Sequence, residues 1–317
     1  MNEIRLRVRS ITQLTRSIRS YELVAETRGG ALKPFTAGAH LTVTLPSGLR
    51  RAYSLHNPPS EAGRYRIAVQ REAAGRGGSI EMHERVQPGD TLAVSAPRNL
   101  FALAPEGPAL LIAGGIGITP LLAMAAQLRD EGRAARLVYL VRQSEDAAFL
   151  DEIEALAARG LAVELHADGG DPARAYPLAD LLATVPDDTH VYCCGPAGLM
   201  TAVAMAGAHL PTERMHFESF TNEEAAPRAG DAGFVVRLAR SGRTVAVAAG
   251  ESILDALLGQ GLDIDYSCNE GTCGTCITRV LAGGIDHRDK VLLPQERADH
   301  IIICCSRATT AELTLDL

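Results

Sequence analysis

The chain has 317 residues, 46 % of them hydrophobic, with 31 Lys/Arg against 38 Asp/Glu and a net charge of −7. That length allows two or three domains of about 100–200 residues, and the apolar content argues against disorder. Trp is absent and aromatic residues make up only 4 %, which argues against a stacking surface for nucleic acid.

Charge is unevenly spread. Residues 1–103 hold 15 Lys/Arg against 8 Asp/Glu, residues 104–231 hold 8 against 19, and residues 232–317 hold 8 against 11. Ordinary solvated surface accounts for such a spread. The functional alternative is that the basic first segment holds an anionic cofactor and the acidic ones face other partners.

Met1 to Ser10 alternates Arg with Ile, Leu and Val. It lacks the apolar core of about 7–15 residues that a signal peptide needs. No run approaches the ~18 apolar residues of a membrane span. Seven cysteines, an odd number with three packed within nine positions, fit a reducing cytoplasm better than a disulfide scaffold.

Residues 1–103 read as β. Leu41-Thr-Val-Thr-Leu45 and Tyr65-Arg-Ile-Ala-Val69 alternate with period two, and Thr91-Leu-Ala-Val94 is a further short strand. Gly38, Pro46-Ser-Gly48, Pro58-Pro59 and Pro88-Gly-Asp90 mark turns. One helix is expected over 79–86, and the whole suggests a small antiparallel barrel. Arg50-Arg-Ala-Tyr-Ser54 follows the first of these strands, and Arg76-Gly-Gly-Ser79 opens the helix. Ser79 can cap that helix, whose N-terminus suits a phosphate. Arg51 can pair bidentately with phosphate, Tyr53 offers a flat face to a ring, and Ser54 offers a hydroxyl to a ring nitrogen. Singly, each of these is as readily an ordinary surface Arg or turn.

Residues 104–223 change rhythm. Apolar runs at 109–113, 137–141, 161–165, 190–194 and 214–217 read as buried strands, with helices expected at 121–131, 147–159, 178–184 and 197–209. The alternation predicts a parallel sheet covered on both faces. Leu110-Leu-Ile-Ala-Gly-Gly-Ile-Gly-Ile-Thr-Pro120 is a strand, a Gly-rich turn and a helix, which suits a pyrophosphate. It departs from G-x-G-x-x-G because Pro120 takes the place of the last Gly. Val191-Tyr-Cys-Cys-Gly-Pro196 is a second such turn, with Pro at the helix start. Two turns at strand C-termini in one parallel sheet make a ligand crevice; ligand-free βα turns are the alternative. After the strand at 137–141, Arg142 could take a 2′-phosphate, but Glu145 and Asp146 would repel it, which favours NADH.

The polar stretch 222–231 reads as a linker. Residues 232–317 form a third unit, with strands at 234–238, 244–247, 277–281 and 301–304 and a helix near 252–260. Its segment Ser267-Cys-Asn-Glu-Gly-Thr-Cys-Gly-Thr-Cys276 has the C-x4-C-x2-C spacing of a plant-type [2Fe–2S] ligand set, completed by Cys304 or Cys305. Gly271 and Gly274 let the backbone curl so that N–H groups can donate to sulfur. Structural zinc is the competing reading, but its four-cysteine sites use two short C-x2-4-C pairs. Adjacent residues of a strand point to opposite faces, so only one of Cys304 and Cys305 can face the cluster.

Taken in order, Arg51-Ala-Tyr-Ser54, Gly77-Gly-Ser79, Gly114-Gly-Ile-Gly-Ile-Thr-Pro120, Cys194-Gly-Pro196, Phe217-Glu-Ser-Phe220 and Cys268-x4-Cys-x2-Cys276 resemble the phthalate dioxygenase reductase family over essentially the whole chain, in particular vanillate O-demethylase reductases. The resemblance implies a flavin barrel at 1–103, a nucleotide domain at 104–223, a linker at 224–231 and an α+β (β-grasp) ferredoxin domain at 232–317. It implies FMN, NADH and a [2Fe–2S] cluster, and electron delivery to a separate Rieske-type oxygenase of aromatic catabolism; a haem-thiolate monooxygenase is the alternative acceptor. Carried over by position, Arg51, Tyr53, Ser54, Ala68, Val69, Gln70, Gly77, Gly78 and Ser79 would hold FMN. Gly115, Gly117, Thr119 and Pro120, with Cys194, Gly195, Pro196 and Arg142, would hold NADH. Phe220 would cover the flavin ring beside Glu218, with Ser54 and Cys194 near the reacting atoms. Cys304-Cys-Ser-Arg-Ala308 fits the family's last-ligand pattern with Cys304 as the ligand. A cytoplasmic monomer that binds neither nucleic acid nor membrane is expected. A non-enzymatic electron carrier is the contrasting class; two nucleotide turns argue against it.

Overall fold

The computed structural model describes all residues except 1, 2, 28, 29, 74, 76, 221–224, 226, 227, 267, 293 and 294. Arg76, Ser267 and residues 224, 226 and 227 of the expected linker thus lie outside the described residues. The chain packs as two compact units, Met1–Glu218 and Ser219–Leu317.

The first unit begins with strands β1 (Ile4–Gln13), β2 (Ile18–Ala25), β3 (Ala39–Thr44), β4 (Arg50–Ser54) and β5 (Tyr65–Gln70). Helix α1 (Gly78–Arg85) and strands β6 (Thr91–Val94) and β7 (Arg98–Asn99) follow. The strands form an antiparallel sheet in the order β4-β3-β6-β1-β2-β5, with β7 on β3. A Leu55–Ile67 bridge joins its two ends, closing the expected barrel. The arginine-studded N-terminus is therefore a barrel strand. Leu6 and Val8 point into the core while Arg5, Arg7 and Arg9 face solvent, as a period of two requires. Leu23, Leu41, Val43, Ile67 and Met82 fill the interior, each burial worth about 1.5–3 kcal/mol.

The second half of this unit is a parallel sheet of order β10-β9-β8-β11-β12. Its strands are β8 (Ala109–Gly114), β9 (Ala135–Val141), β10 (Ala162–Ala167), β11 (His190–Cys194) and β12 (Met215–Glu218). Helices α2 (Ile118–Asp130), α3 (Leu150–Ala158), α4 (Leu178–Ala183) and α5 (Ala197–Ala206) connect them. Three helix boundaries differ from expectation by three residues, α5 among them, which ends at Ala206 and not at 209. Helix α2 starts three residues early, because Pro120 is compatible with a first helical turn, so Thr119 and Pro120 lie inside the helix. Helix α3 starts three residues late, because Phe149 takes a left-handed φ of 64° that no helix can include.

The second unit holds β13 (Phe234–Leu238), β14 (Thr244–Val247), α6 (Ile253–Gly259), β15 (Ile277–Ala282), β16 (Ile285–Asp286), β17 (His300–Ile302), β18 (Arg307–Ala308) and β19 (Glu312–Leu315). Its sheet runs β14-β13-β19-β15-β17, with β16 and β18 paired separately. Ser252 caps α6, its hydroxyl accepting from the Asp255 N–H at 3.0 Å. Strand β17 ends at Ile302, and residues 303–305 form a turn. The expected strand through Cys304 is thus corrected, and with it the premise that Cys304 and Cys305 alternate across a strand. Among the described residues, no helix is long and apolar enough to cross a membrane.

Candidate cofactor sites

The first site lies where β4 meets α1. The Arg51 side chain runs over Gly78; a Cβ on Gly78 would come within 2.7 Å of Arg51 Nε. Gly77 precedes the helix in a left-handed conformation, φ 80°. A guanidinium therefore sits beside the free N–H groups of a helix N-terminus, an arrangement suited to a phosphate. Ser79 does not cap the helix as expected. It lies inside the first turn, and its hydroxyl accepts from the Glu72 N–H at 3.1 Å. Helix α1 is held to the barrel by β2: Tyr21 donates to Met82 O at 2.9 Å and Arg19 to His83 O at 2.6 Å.

Tyr53 carries a buried hydroxyl that finds no hydrogen-bond partner among the described residues, and burial pushes its pKa up. A buried orphan hydroxyl costs about 1–3 kcal/mol, so the site fits a ligand that supplies the missing partner. Val69 differs from expectation: its side chain packs in the barrel core, leaving only its backbone to face a ligand, and its carbonyl accepts from His83 Nε2 at 2.8 Å. Ala68 is buried beside it and Gln70 is half-buried at the strand end.

Ser54 joins barrel and parallel sheet. Its hydroxyl donates to Glu218 Oε2 at 3.3 Å. Glu218 keeps partial solvent contact although dense protein surrounds its carboxyl, and burial raises its pKa from 4.5 to about 8. Cys194 stands in register with Glu218 on β11. Its thiol pKa is pushed up by burial, then by Glu218 and Cys193. Sequence reasoning missed that Glu218 ends β12, which is what brings it to Ser54.

In the second site, the two βα turns close on each other. A Cβ on Gly117 would lie 2.2 Å from Cys194 O, and one on Gly195 would lie 2.9 Å from the Gly114 Cα. Gly115 differs: its φ is 53°, and a Cβ there would meet nothing within 4 Å. Gly114, Gly117 and Gly195 thus let the turns touch, while Gly115 faces open ground that a pyrophosphate could occupy. Thr119 is buried and its hydroxyl donates to Ile116 O at 3.1 Å, so it supports the turn. Pro120 is buried within α2 and Pro196 precedes α5. Arg142, Glu145 and Asp146 are all exposed beyond the end of β9.

The third site lies in the second unit. Cys268, Cys273, Cys276 and Cys304 are all buried. Asn269, Gly271 and Gly274 take φ values of 57°, 68° and 63°, and the curl aims backbone N–H groups at sulfur. Glu270 and Thr272 donate to Cys268 Sγ at 3.3 and 3.4 Å, and Cys268 N donates to Cys273 Sγ at 3.4 Å. The thiols also bond one another. Hydrogen bonds from Cys273 and then Cys304 shift the Cys268 pKa down. Cys304 is pushed up by its bonds to Cys268, Cys276 and Cys305. Cys305 also donates to Ile302 O at 3.7 Å. Among the described residues, no three His, Cys, Asp or Glu side chains gather as they would around a single metal ion. A binuclear cluster asks for a different arrangement, with four thiolates shared between two irons.

Phe220 is half-buried in the second unit. An unforeseen histidine pair lies on the sheet: His190 Nδ1 bonds His216 Nε2 at 2.9 Å, with Arg214 on the other His190 nitrogen. Arg214 can only donate, so both rings are fixed as neutral tautomers, and burial lowers both pKa values.

A closed barrel with Arg51 at a helix N-terminus, a parallel sheet whose glycine turns touch, and four buried cysteines from a loop and a separate turn fit the class of NADH-dependent iron–sulfur flavoprotein reductases. The 2Fe-2S iron-sulfur cluster binding domain matches residues 236–309 and the oxidoreductase NAD-binding domain matches residues 111–205. Phthalate dioxygenase reductase of Burkholderia cepacia is 45 % identical over 99 % of this chain and 97 % of its own. The vanillate O-demethylase oxidoreductase of a Pseudomonas strain is 41 % identical over 91 % of this chain and 92 % of its own. The solved phthalate dioxygenase reductase superposes with a TM-score of 0.78 at 43 % identity, covering 100 % of this chain and 98 % of that one. An intact self-sufficient cytochrome P450 monooxygenase matches 99 % of this chain with 41 % of its own, at a TM-score of 0.85 and 36 % identity. The chain belongs to the phthalate dioxygenase reductase family. It is an oxidoreductase that takes electrons from NADH through FMN to a [2Fe–2S] cluster and on to an oxygenase.

Proposed function

We propose that the acceptor is a separate Rieske-type oxygenase of aromatic catabolism, and that the chain works as a cytoplasmic monomer with domains at 1–103, 104–223 and 232–317 joined by the 224–231 linker. The similarity to dioxygenase and O-demethylase reductases supports this acceptor class. The similarity to a P450 fusion supports the second reading, a haem-thiolate acceptor.

Within this reading each residue has a role. Arg51 and the N-terminus of α1 bind the flavin phosphate, and the Tyr53 hydroxyl gains its missing partner from the same cofactor. Ser54 is oriented by Glu218, which holds a proton near neutral pH and places it at the edge of the barrel. Cys194 adds a protonated thiol beside it. The cradle at Gly115, Gly117, Gly195 and Pro196 binds the pyrophosphate of NADH. Glu145 and Asp146 disfavour a 2′-phosphate beside Arg142. A flavin held there would supply the chemistry that matches a two-electron donor to a one-electron cluster. Cys268, Cys273, Cys276 and Cys304 hold that cluster, with backbone N–H groups stabilising the sulfur charge.

One observation carries this reading: a phosphate cradle, the Ser54–Glu218 contact and the glycine turns share one compact unit. The test is reconstitution. Purified protein should yield FMN on acid extraction, bleach with NADH, and drive a Rieske oxygenase. Turnover only with a haem-thiolate partner would replace the acceptor; a colourless preparation indifferent to NADH would end the assignment.

A further inference from the structure

The second unit contains three arginine and carboxylate side chains that a small domain would rarely bury. Side chains of Asp231, Arg288 and Arg307 are 8 %, 5 % and 6 % exposed. Arg288 grips Asp231 bidentately, at 2.9 Å to Oδ2 and 2.6 Å to Oδ1, and reaches Asp286 Oδ2 with Nε at 2.7 Å. Arg307 Nε lies 3.8 Å from Asp231 Oδ2, while its other nitrogens serve the carbonyls of Glu251, Ala232 and Ala248. The Arg228 N–H also donates to Asp231. Bonding to Arg288 keeps the Asp231 carboxyl well below the usual range, so it stays ionised.

The backbone of the segment that carries Arg288 touches both halves of the cysteine site. The Arg288 N–H donates to Ser306 Oγ at 3.1 Å, two residues beyond Cys304. The Lys290 N–H donates at 3.0 Å to the carbonyl of Gly271, inside the Cys268–Cys273 loop. The neighbouring Asp289, its side chain fully buried, lies 3.8 Å from Arg297 and accepts from the Val291 and Leu292 N–H groups and from Ser306 Oγ, the hydroxyl that also receives the Arg288 N–H. Among the described residues, the two buried guanidiniums face the buried Asp231 and the half-buried Asp286, with the buried Asp289 alongside.

We infer that the Asp231–Arg288 ion pair sets the charge balance beside the cysteine loop and so tunes the reduction potential of the cluster. The inference rests on the reading that these cysteines hold a [2Fe–2S] cluster. Taking one electron makes the cluster more negative, and the surrounding net charge helps set its potential. Buried charges are little screened by salt. Removing the negative charge of Asp231 favours the reduced cluster; removing the positive charge of Arg288 disfavours it. Both residues position and polarise the site without touching the iron ligands.

The experiment uses the full-length holoprotein and a dithionite titration followed by the EPR signal of the reduced cluster. Asp231→Asn should raise the midpoint potential, Arg288→Gln should lower it, and the charge-neutral double variant should return to wild type. Asp286→Asn, a milder change at a half-exposed site, should raise it less, and its sign decides the matter where Asp231→Asn fails to fold. A purely structural ion pair would lower thermal stability in both single variants without opposite shifts. Shifts of one sign, or unmoved potentials, overturn the inference. Absence of any [2Fe–2S] EPR signal in the wild type would instead remove the ligand assignment beneath it.

Discussion

Gly117 and Gly115 stand two residues apart in one turn, and replacing each with alanine should damage different properties. A Cβ on Gly117 would lie 2.2 Å from Cys194 O, 2.5 Å from Cys194 C and 2.8 Å from Gly195 N. Non-bonded atoms prefer about 3.5–4.0 Å, and all three neighbours are backbone, so a whole turn must move. Gly117 has φ −62° and ψ −6°, which alanine adopts freely; the steric clash is the whole perturbation. Overpacking costs about 1–3 kcal/mol, and rigid backbone on both sides argues for the upper end. At about 2–4 °C per kcal/mol for a unit of this size, Gly117→Ala should lose roughly 6–12 °C in Tm. Gly115→Ala meets no neighbour but must take φ 53°, costing about 1–2 kcal/mol. Its methyl group enters the ground reserved for the pyrophosphate, so NADH affinity should fall about tenfold or more, equivalent to ~1.4 kcal/mol. Thermal unfolding without nucleotide and calorimetric titration with NADH separate the two effects. An unchanged Tm in Gly117→Ala would show that the turns do not touch. Full NADH affinity in Gly115→Ala would refute the cradle.

Three further outcomes are expected. Tyr53→Phe removes a buried hydroxyl that has no partner among the described residues, so the flavin-free protein should hold or gain stability, by up to about 1 kcal/mol, while flavin affinity measured by fluorescence quenching falls; unchanged affinity would detach Tyr53 from the site. Folding raises the Glu218 pKa from 4.5 to about 8, so the folded chain binds the extra proton between those values and loses stability as pH rises through them. Glu218→Gln should flatten the decline in Tm between pH 5 and 8 in flavin-free protein, and a slope that survives would place the titration elsewhere. Cys304→Ser should abolish or strongly alter the cluster's EPR signal while Cys305→Ser preserves it; the reverse pattern would transfer the ligand to Cys305.

Much of this was legible because the sites are built from glycine spacing and cysteine spacing, which a sequence displays directly. The C-x4-C-x2-C loop and the Gly-Gly-Ile-Gly turn constrain backbone shape within ten residues. What escaped notice depends on distant pairing. The N-terminal arginines disguised β1, whose partners lie near residues 19–25 and 91–94. The Ser54–Glu218 contact spans 164 residues, and no local pattern announces it. Ser79 has the chemistry of a cap, but the left-handed Gly77 takes that position and leaves the serine inside the helix. Cys304 was placed on a strand from its apolar neighbours Ile301-Ile-Ile303, yet buried turns and buried strands share that composition. Phe149 at φ 64° could not have been foreseen, since only tertiary packing, here against His56 at 4.6 Å between ring centroids, holds a bulky residue there.

The three sites share a physical design that explains why so few side chains carry them. In the proposed reading each would present backbone N–H groups to concentrated negative charge: a helix N-terminus beside Arg51, a glycine turn at 114–117, and a loop of left-handed residues at 269, 271 and 274. Backbone donors are fixed by the fold and carry no rotamer entropy to lose on binding, so a site made from them is already organised for its ligand. Two kinds of glycine serve that end. Gly77, Gly115, Gly271 and Gly274 supply φ values that other residues resist, whereas Gly114, Gly117 and Gly195 supply only the absence of a Cβ, which lets two turns close within contact. The first kind shapes a surface for the ligand and the second holds the scaffold behind it. Substitutions in the first should therefore be read in affinity and in the second mainly in stability, a distinction that sequence pattern hides because both are written with the same letter.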